Sequence, residues 1–231
     1  GIGSPFRHQD RTRSGARSDM TIRVLLADDH ALMREGLRAL LITATDIEVV
    51  GAVRTGRDAL TQVPQLLPDV VLMDIAMPDL NGIEAARVIH LRCPAVRIVM
   101  LSMHATAEYV YRAFEAGASG YLLKEVAVEE VITAVRTVHE GKRYLSPASA
   151  AIMPGPGSAY ARGPIDSLST RERQVLQLVV EGRTSSEIAG MLHLSPKSVE
   201  TYRSRLMLKL GVRDLPSLVK FALEHGLTSP K

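Results

Sequence analysis

One cysteine, Cys93, stands in a chain of 231 residues. A lone thiol excludes an internal disulfide framework and a four-thiolate zinc site, and it fits a reducing cytoplasm. Apolar runs are short. None approaches the ~18 residues that a membrane-spanning helix needs, so a membrane protein is not expected. Gly1–Asp19 has little apolar content, no periodicity and no hydrophobic segment of the secretory kind. It reads as a disordered tail foreign to the natural chain, with Met20 as the natural start. Internal repeats are also missing. What remains is an ordinary globular composition, 46% apolar, long enough for one large domain or two small ones.

Charge divides the chain. The net charge of +3 splits into +2 for residues 1–19, −3 for 20–144 and +4 for 145–231. An acidic front and a basic rear suggest two domains with different partners, the basic one a candidate for nucleic acid. Between them, residues 145–166 hold Pro147, Pro154, Gly155, Pro156, Gly157, Gly163 and Pro164 among Ala and Ser, which is the composition of a flexible linker. The expected organisation is a first domain over 20–144, the linker, and a second domain over 167–231.

The front half alternates. Apolar runs at 22–27, 47–53, 70–74, 96–101 and 119–123 read as strands. Leu37, Leu40 and Leu41, then Ala85, Val88 and Ile89, then Val128, Val131, Ile132 and Val135 repeat at helical spacing. Five strand–helix units predict a doubly wound α/β domain around a parallel sheet. The flavodoxin-like order 2-1-3-4-5 puts the first and third strands side by side. Val70–Met73 runs straight into Asp74, and Ile22–Ala27 into Asp28 and Asp29. Three carboxylates therefore meet at the edge of the sheet where ligands bind. At ~4 Å two like charges repel by ~4 kcal/mol at an effective dielectric of ~20. Such a cluster demands a proton or a cation. Oxygen ligands with no Cys or His expected nearby favour Mg²⁺. Asp74 is also a usable nucleophile toward phosphorus. Ser102 and Lys124 close the fourth and fifth strands, where a hydroxyl and an ammonium can meet phosphoryl oxygens.

Residues 21–140 resemble a bacterial response-regulator receiver domain. The matching pieces are Leu26-Ala27-Asp28-Asp29-His30, Leu72-Met73-Asp74-Ile75-Ala76-Met77-Pro78-Asp79-Leu80-Asn81-Gly82, Leu101-Ser102 and Gly120-Tyr121-Leu122-Leu123-Lys124. The resemblance implies that Asp74 accepts a phosphoryl group from a sensor histidine kinase. It implies that Asp28, Asp29, Asp74 and the backbone carbonyl of Ala76 hold Mg²⁺, and that Ser102 and Lys124 contact the phosphoryl group. Tyr121 matches the aromatic that changes exposure as Ser102 moves. Glu125 departs from the proline common after the lysine. His104 reads as a solvated loop residue rather than a proton relay.

The rear half is helical by pattern, and its caps are legible. Ser169 with Glu172 and Thr184 with Glu187 form capping boxes, Ser195-Pro196 opens a helix, and Gly182 and Gly211 stop helices. Helices are expected near 170–181, 185–192, 196–210 and 215–225, the second and third forming a helix–turn–helix. On the third, Val199, Tyr202, Leu206 and Leu210 share the core side, while Lys197, Glu200, Thr201, Ser204 and Arg205 share the other. Those types reach base edges and phosphates.

Leu168–Leu176, Glu187-Ile188-Ala189, Leu194-Ser195, Val199-Glu200-Thr201 and Lys209-Leu210-Gly211-Val212 look like the LuxR-type helix–turn–helix. With the receiver, the chain is similar to the NarL/FixJ class of response regulators. The implied DNA-binding residues are Lys197, Ser198, Glu200, Thr201, Arg203, Ser204 and Arg205. Tyr202 stands where many members have His, Ser185-Ser186 replaces a common Asn-Lys pair, and Glu200 stands where several members carry a Lys toward the DNA; an acid there prefers a cytosine amine to a phosphate.

The expected function is a cytoplasmic transcription regulator, phosphorylated on Asp74 with Mg²⁺, that forms a homodimer when phosphorylated and binds double-stranded promoter DNA. The resemblance also implies that the unphosphorylated receiver covers the recognition helix. Leu218 and Phe221 of the last helix belong either to the core or to a dimer contact. An aspartate-nucleophile phosphatase would need an acid at Ala76, so an enzyme acting on external substrates is not expected. A ligand-sensing LuxR-type regulator would need an apolar cavity in place of the acids. The remaining alternative is a phosphorylation-independent regulator that uses its receiver only to dimerise.

Overall fold

The computed structural model describes residues 21–103, 106–125, 128–151, 163–225 and 227. The tail Gly1–Asp19, His104 and residues 152–162 of the expected linker lie outside the described residues. The first half alternates β1 (Ile22–Ala27), α1 (Ala31–Ile42), β2 (Ile47–Val53), α2 (Gly56–Leu66), β3 (Val70–Asp74), α3 (Gly82–Arg92), β4 (Arg97–Ser102), α4 (Ala107–Glu115), β5 (Gly120–Leu123) and α5 (Val128–His139). These strands are parallel in the order 2-1-3-4-5, as the sequence leads one to expect.

A sixth strand, β6 (Tyr144–Leu145), extends the sheet beside β5. Two residues carry no periodicity, so pattern reading misses this strand. It forms because β5 would otherwise leave an unpaired edge. A short helix, α6 (Pro147–Ala150), follows, with Ser146 as its N-cap.

Strand side chains alternate between two apolar layers. Leu25, Val71, Met73, Ile98 and Met100 pack toward α2, α3 and α4. Val24, Leu26, Val70, Leu72, Val99 and Leu101 pack toward α1 and α5. Burial on both faces explains why β3 reads as a continuous apolar run. Its last residue, Asp74, is carried to the carboxyl edge with the rest of the strand anchored on both sides.

The second half begins with a 3₁₀ turn (Pro164–Ser167), then α7 (Thr170–Val180), α8 (Ser185–Leu192), α9 (Pro196–Leu210) and α10 (Leu215–Glu224). Ser169 accepts from the Glu172 amide while Glu172 accepts from the Ser169 amide, and Thr184 and Glu187 do the same. Gly211 ends α9 at φ +68, a left-handed position open to glycine without penalty. Val175, Leu176, Ile188, Val199, Leu206 and Leu218 make one small core. Leu218 is fully buried there, and Phe221 packs against the same core while stacking on His225. Of the two roles open to these residues, the core is the one observed.

Candidate functional site

Five side chains from four strand ends converge at the carboxyl edge of the sheet. Asp28 follows β1, Asp74 closes β3, Ser102 closes β4, and Lys124 follows β5, with Asp29 beside Asp28. Asp28 and Asp74 are almost wholly buried, at 1% and 2% exposure, and Asp29 is half-buried. The Lys124 ammonium lies 2.8 Å from Asp28 Oδ2 and 2.8 Å from Asp74 Oδ2. The repulsion expected between the acids is therefore met from within the chain, by Lys124. Burial lowers the Lys124 affinity for its proton, but Asp74 and Asp28 outweigh it and hold the ammonium above its usual range. For Asp74, burial dominates; Lys124 opposes it, Asp28 adds to it, and the carboxyl is pushed up to about 6.

Sequence reading placed no histidine here, and the structure corrects this. His30 Nδ1 lies 2.9 Å from Asp29 Oδ1 and 3.3 Å from Asp28 Oδ1. The reason is local: His30 is the N-cap of α1, and its amide donates to Asp28 Oδ1 at 2.8 Å, which folds the ring back over the acids. One ligand atom from each of Asp28, Asp29, His30 and Asp74 falls within 4.8 Å of the others, close enough to share a single cation. Buried carboxylates that approach this closely are the donor set a hard divalent ion takes.

The loop after Asp74 is tightly folded. The Ala76 amide donates to Asp74 Oδ1 at 3.2 Å, and the Gly82 amide donates to the Ile75 carbonyl at 2.9 Å. A Cβ on Gly82 would stand 2.1 Å from the Asp74 carbonyl oxygen, so only glycine fits at the start of α3. Ser102 is buried, and its side chain bonds that of Tyr121. Tyr121 is fully enclosed, and burial pushes its phenol up to about 12.

The two halves touch at this same loop. Gln177 on α7, 1% exposed, donates through Nε2 to the Met77 carbonyl at 2.8 Å. Its Oε1 accepts from the Asn81 amide at 2.9 Å and from Asn81 Nδ2 at 3.2 Å. Glu181 accepts from the amide of Asp79, whose φ of 65 is left-handed, and Arg183 reaches Asp79 Oδ1 at 3.4 Å. Arg173 pairs with the buried Glu84 at 2.5 Å. Burial is the main cause of the raised Glu181 carboxyl, which Asp79 augments and Gln177 and the Asp79 amide oppose. His225 Nε2 lies 3.9 Å from Glu108 Oε2.

The recognition helix is not the covered element. Among the described residues, the ion pairs and hydrogen bonds between the halves fall on α7, on Glu181 and Arg183 just after it, and on His225. On α9, Lys197, Glu200, Thr201, Ser204 and Arg205 are exposed, and Ser198 and Arg203 are half-buried. Ser198 shares its hydroxyl with Ser195 in the helix cap. Val199 and Leu206 are buried, and Tyr202 and Leu210 pack on the core beside them, so α9 sits as its pattern requires.

A doubly wound parallel sheet with an acidic pocket at its carboxyl edge, joined to a four-helix unit with an open helix–turn–helix, defines the class. Residues 24–136 match the response regulator receiver domain, and residues 166–222 match the bacterial regulatory proteins of the luxR family. The chain belongs to the response regulators that join a receiver to a LuxR-type DNA-binding domain. It is 42% identical to the transcriptional regulatory protein MctR of Rhizobium johnstonii, over 90% of this chain and 96% of that protein. It is 38% identical to the response regulator UvrY of Escherichia coli, over 89% of this chain and 95% of the relative. A LuxR-family two-component response regulator from Aurantimonas aligns at TM-score 0.56 and 36% identity, over 58% of this chain and 95% of that one. The response regulator RcsB in complex with DNA aligns at TM-score 0.55 and 26% identity, over 87% of this chain and 97% of that one.

Proposed function

We propose that this regulator is switched by phosphorylation of Asp74 by a sensor histidine kinase, with Mg²⁺ at Asp28, Asp29 and Asp74, and that the phosphorylated chain pairs on promoter DNA in the cytoplasm. The observation that carries this reading is Asp74 itself, buried at the end of β3 within reach of Asp28 and Asp29, with Lys124 bridging Asp28 and Asp74 and Ser102 at the end of the next strand. One Asp74 oxygen attacks the phosphorus of the kinase's phosphohistidine, and the P–N bond breaks. The divalent ion, when bound, supplies positive charge that shields the incoming phosphoryl oxygens from the carboxylates.

The chain's own groups do the rest. Lys124 already touches Asp74 and needs only to turn its ammonium onto a phosphoryl oxygen. Ser102 gives its hydroxyl to another, and its bond to Tyr121 carries that displacement into β5. The Ala76 amide follows the oxygen it now holds. Ala76 also stands where a phosphatase of this kind has its acid, so the chemistry is confined to self-modification.

Coupling runs through the loop that Gln177 and Glu181 hold. A phosphoryl group adds roughly −1.5 to −2 charges, by analogy with other phosphorylated side chains. It draws Ala76 and its neighbours inward, and Met77, Asp79 and Asn81 cannot follow while they are bonded to Gln177, Glu181 and Arg183. Phosphorylation and the clasped arrangement therefore disfavour each other, and phosphorylation shifts the population toward separated domains. A pair of helix–turn–helix units covers two half-sites where one covers a single half-site, so pairing controls affinity. The regulator that dimerises without phosphorylation is less favoured, because it gives the complete pocket no work.

Asp74→Asn tests the reading directly. Wild type incubated with Mg²⁺ and a small acyl phosphate is expected to shift toward dimer in light scattering and to bind promoter DNA more tightly, and the variant to do neither. Equal behaviour of the two proteins rules the switch out.

A further inference from the structure

Ser185 and Glu200 lie 15 residues apart in sequence and meet in space: the Ser185 hydroxyl donates to Glu200 Oε1. Ser185 is the first residue of α8 and Glu200 lies on the exposed face of α9. We propose that Glu200, held by Ser185, reads a cytosine amino group in the major groove and so fixes one C·G pair of the half-site. This rests on the reading that α9 enters DNA.

The argument begins with charge. A carboxylate on a face turned to a polyanion is repelled by every phosphate, and only a positive or donor group can offset that. Among the described residues Glu200 makes no ion pair, although Lys197, Arg203 and Arg205 share its helix. Its one described partner is a neutral hydroxyl, so its negative charge remains to be met by DNA. The exposed amine donors of the major groove are cytosine N4 and adenine N6. Adenine sets the N7 lone pair beside its amine, which repels a second carboxylate oxygen; cytosine does not. Guanine and thymine set acceptors or a methyl group there and offer nothing to an acid.

Ser185 explains how so exposed a side chain can discriminate. A free glutamate loses rotamer freedom on binding. Here one oxygen is fixed before DNA arrives, which leaves Oε2 free to accept from a base and lowers that entropic cost. The N-terminus of α8 also lies at this point, and its partial positive charge favours the carboxylate there. Ser185 is thus a positioning residue and Glu200 the one that touches the base.

The test is selection of binding sites from a random duplex library by the full-length chain, with the wild type beside Glu200→Gln, Ser185→Ala and Ser185→Thr. Both positions lie on the surface of the domain, and circular dichroism confirms that each variant folds. The wild type is expected to enrich cytosine at one position of each half-site. Glu200→Gln is expected to lose about tenfold of that preference, within the range for one base-edge contact, and to move it toward adenine. Ser185→Ala keeps cytosine with a severalfold weaker preference, and Ser185→Thr restores it. If Glu200→Gln enriches the same base with the same strength, or if Ser185→Ala is indistinguishable from wild type, the proposal is overturned. A wild type that enriches no sequence defeats the DNA-binding reading as well, a result distinct from an unchanged preference.

Discussion

Replacing Gln177 with alanine removes the centre of the clasp between the halves. Three of its hydrogen bonds cross to the receiver, one to Met77 and two to Asn81, at 2.8, 2.9 and 3.2 Å. At ~1 kcal/mol net for each bond, the loss is about 3 kcal/mol, or about 150-fold in the ratio of clasped to separated molecules. The bonds are buried, so water cannot simply replace them while the halves stay together. Hydrogen exchange reads the change at single residues. The amides of Asp79 and Asn81 donate to the side chains of Glu181 and Gln177, so their protection depends on the clasp. Both are expected to exchange far faster in Gln177→Ala, while amides inside β3 keep their protection. The radius of gyration from small-angle scattering should rise, and phosphorylation by a small acyl phosphate should quicken, since the loop is freed in advance. Unchanged exchange at Asn81 together with an unchanged phosphorylation rate would refute the coupling.

Glu181 gives the clasp a pH dependence. Its carboxyl is raised above 4.5 by burial in the clasped state, so that state binds the proton more tightly. Clasping is therefore strengthened as pH falls through the raised value toward 4.5 and weakened as pH rises through it; Glu181→Gln should abolish the trend in scattering measured across pH 4.5–8. Lys124→Ala leaves two buried carboxylates without their counter-ion, which should cost about 3–5 kcal/mol at pH 8 without added metal. Millimolar Mg²⁺ should restore part of that loss in thermal melts, and an unshifted melting curve in the variant would count against the counter-ion role. Gly82→Ala drives a methyl group into the Asp74 carbonyl, so the receiver should lose about 3 kcal/mol or fail to fold, as denaturant titration would show.

What could be read from the sequence depended on range. Helix caps are local, and Ser169, Thr184, Ser195 and Gly211 all stand where their residue types imply. The acidic pocket was legible because strand ends announce themselves and the parallel order follows from alternation. His30 escaped because its position over the acids comes from a cap geometry that residue type does not encode. β6 escaped because two residues have no period. The clasp was invisible for a different reason: Gln177 and Asn81 are 96 residues apart, and a polar residue on a helix gives no sign of what it will meet. Pattern placed Glu200 on the outer face and Ser185 at a helix start, yet nothing in the spacing announced that they touch.

The backbone at Tyr121 has a second consequence. Its carbonyl accepts the amide of Ser146, the residue that caps α6 and opens the segment leading to the DNA-binding half. The tether is thus moored to the very residue whose hydroxyl answers to Ser102. On the switching proposed above, a shift of that strand would displace the root of the tether together with the pocket.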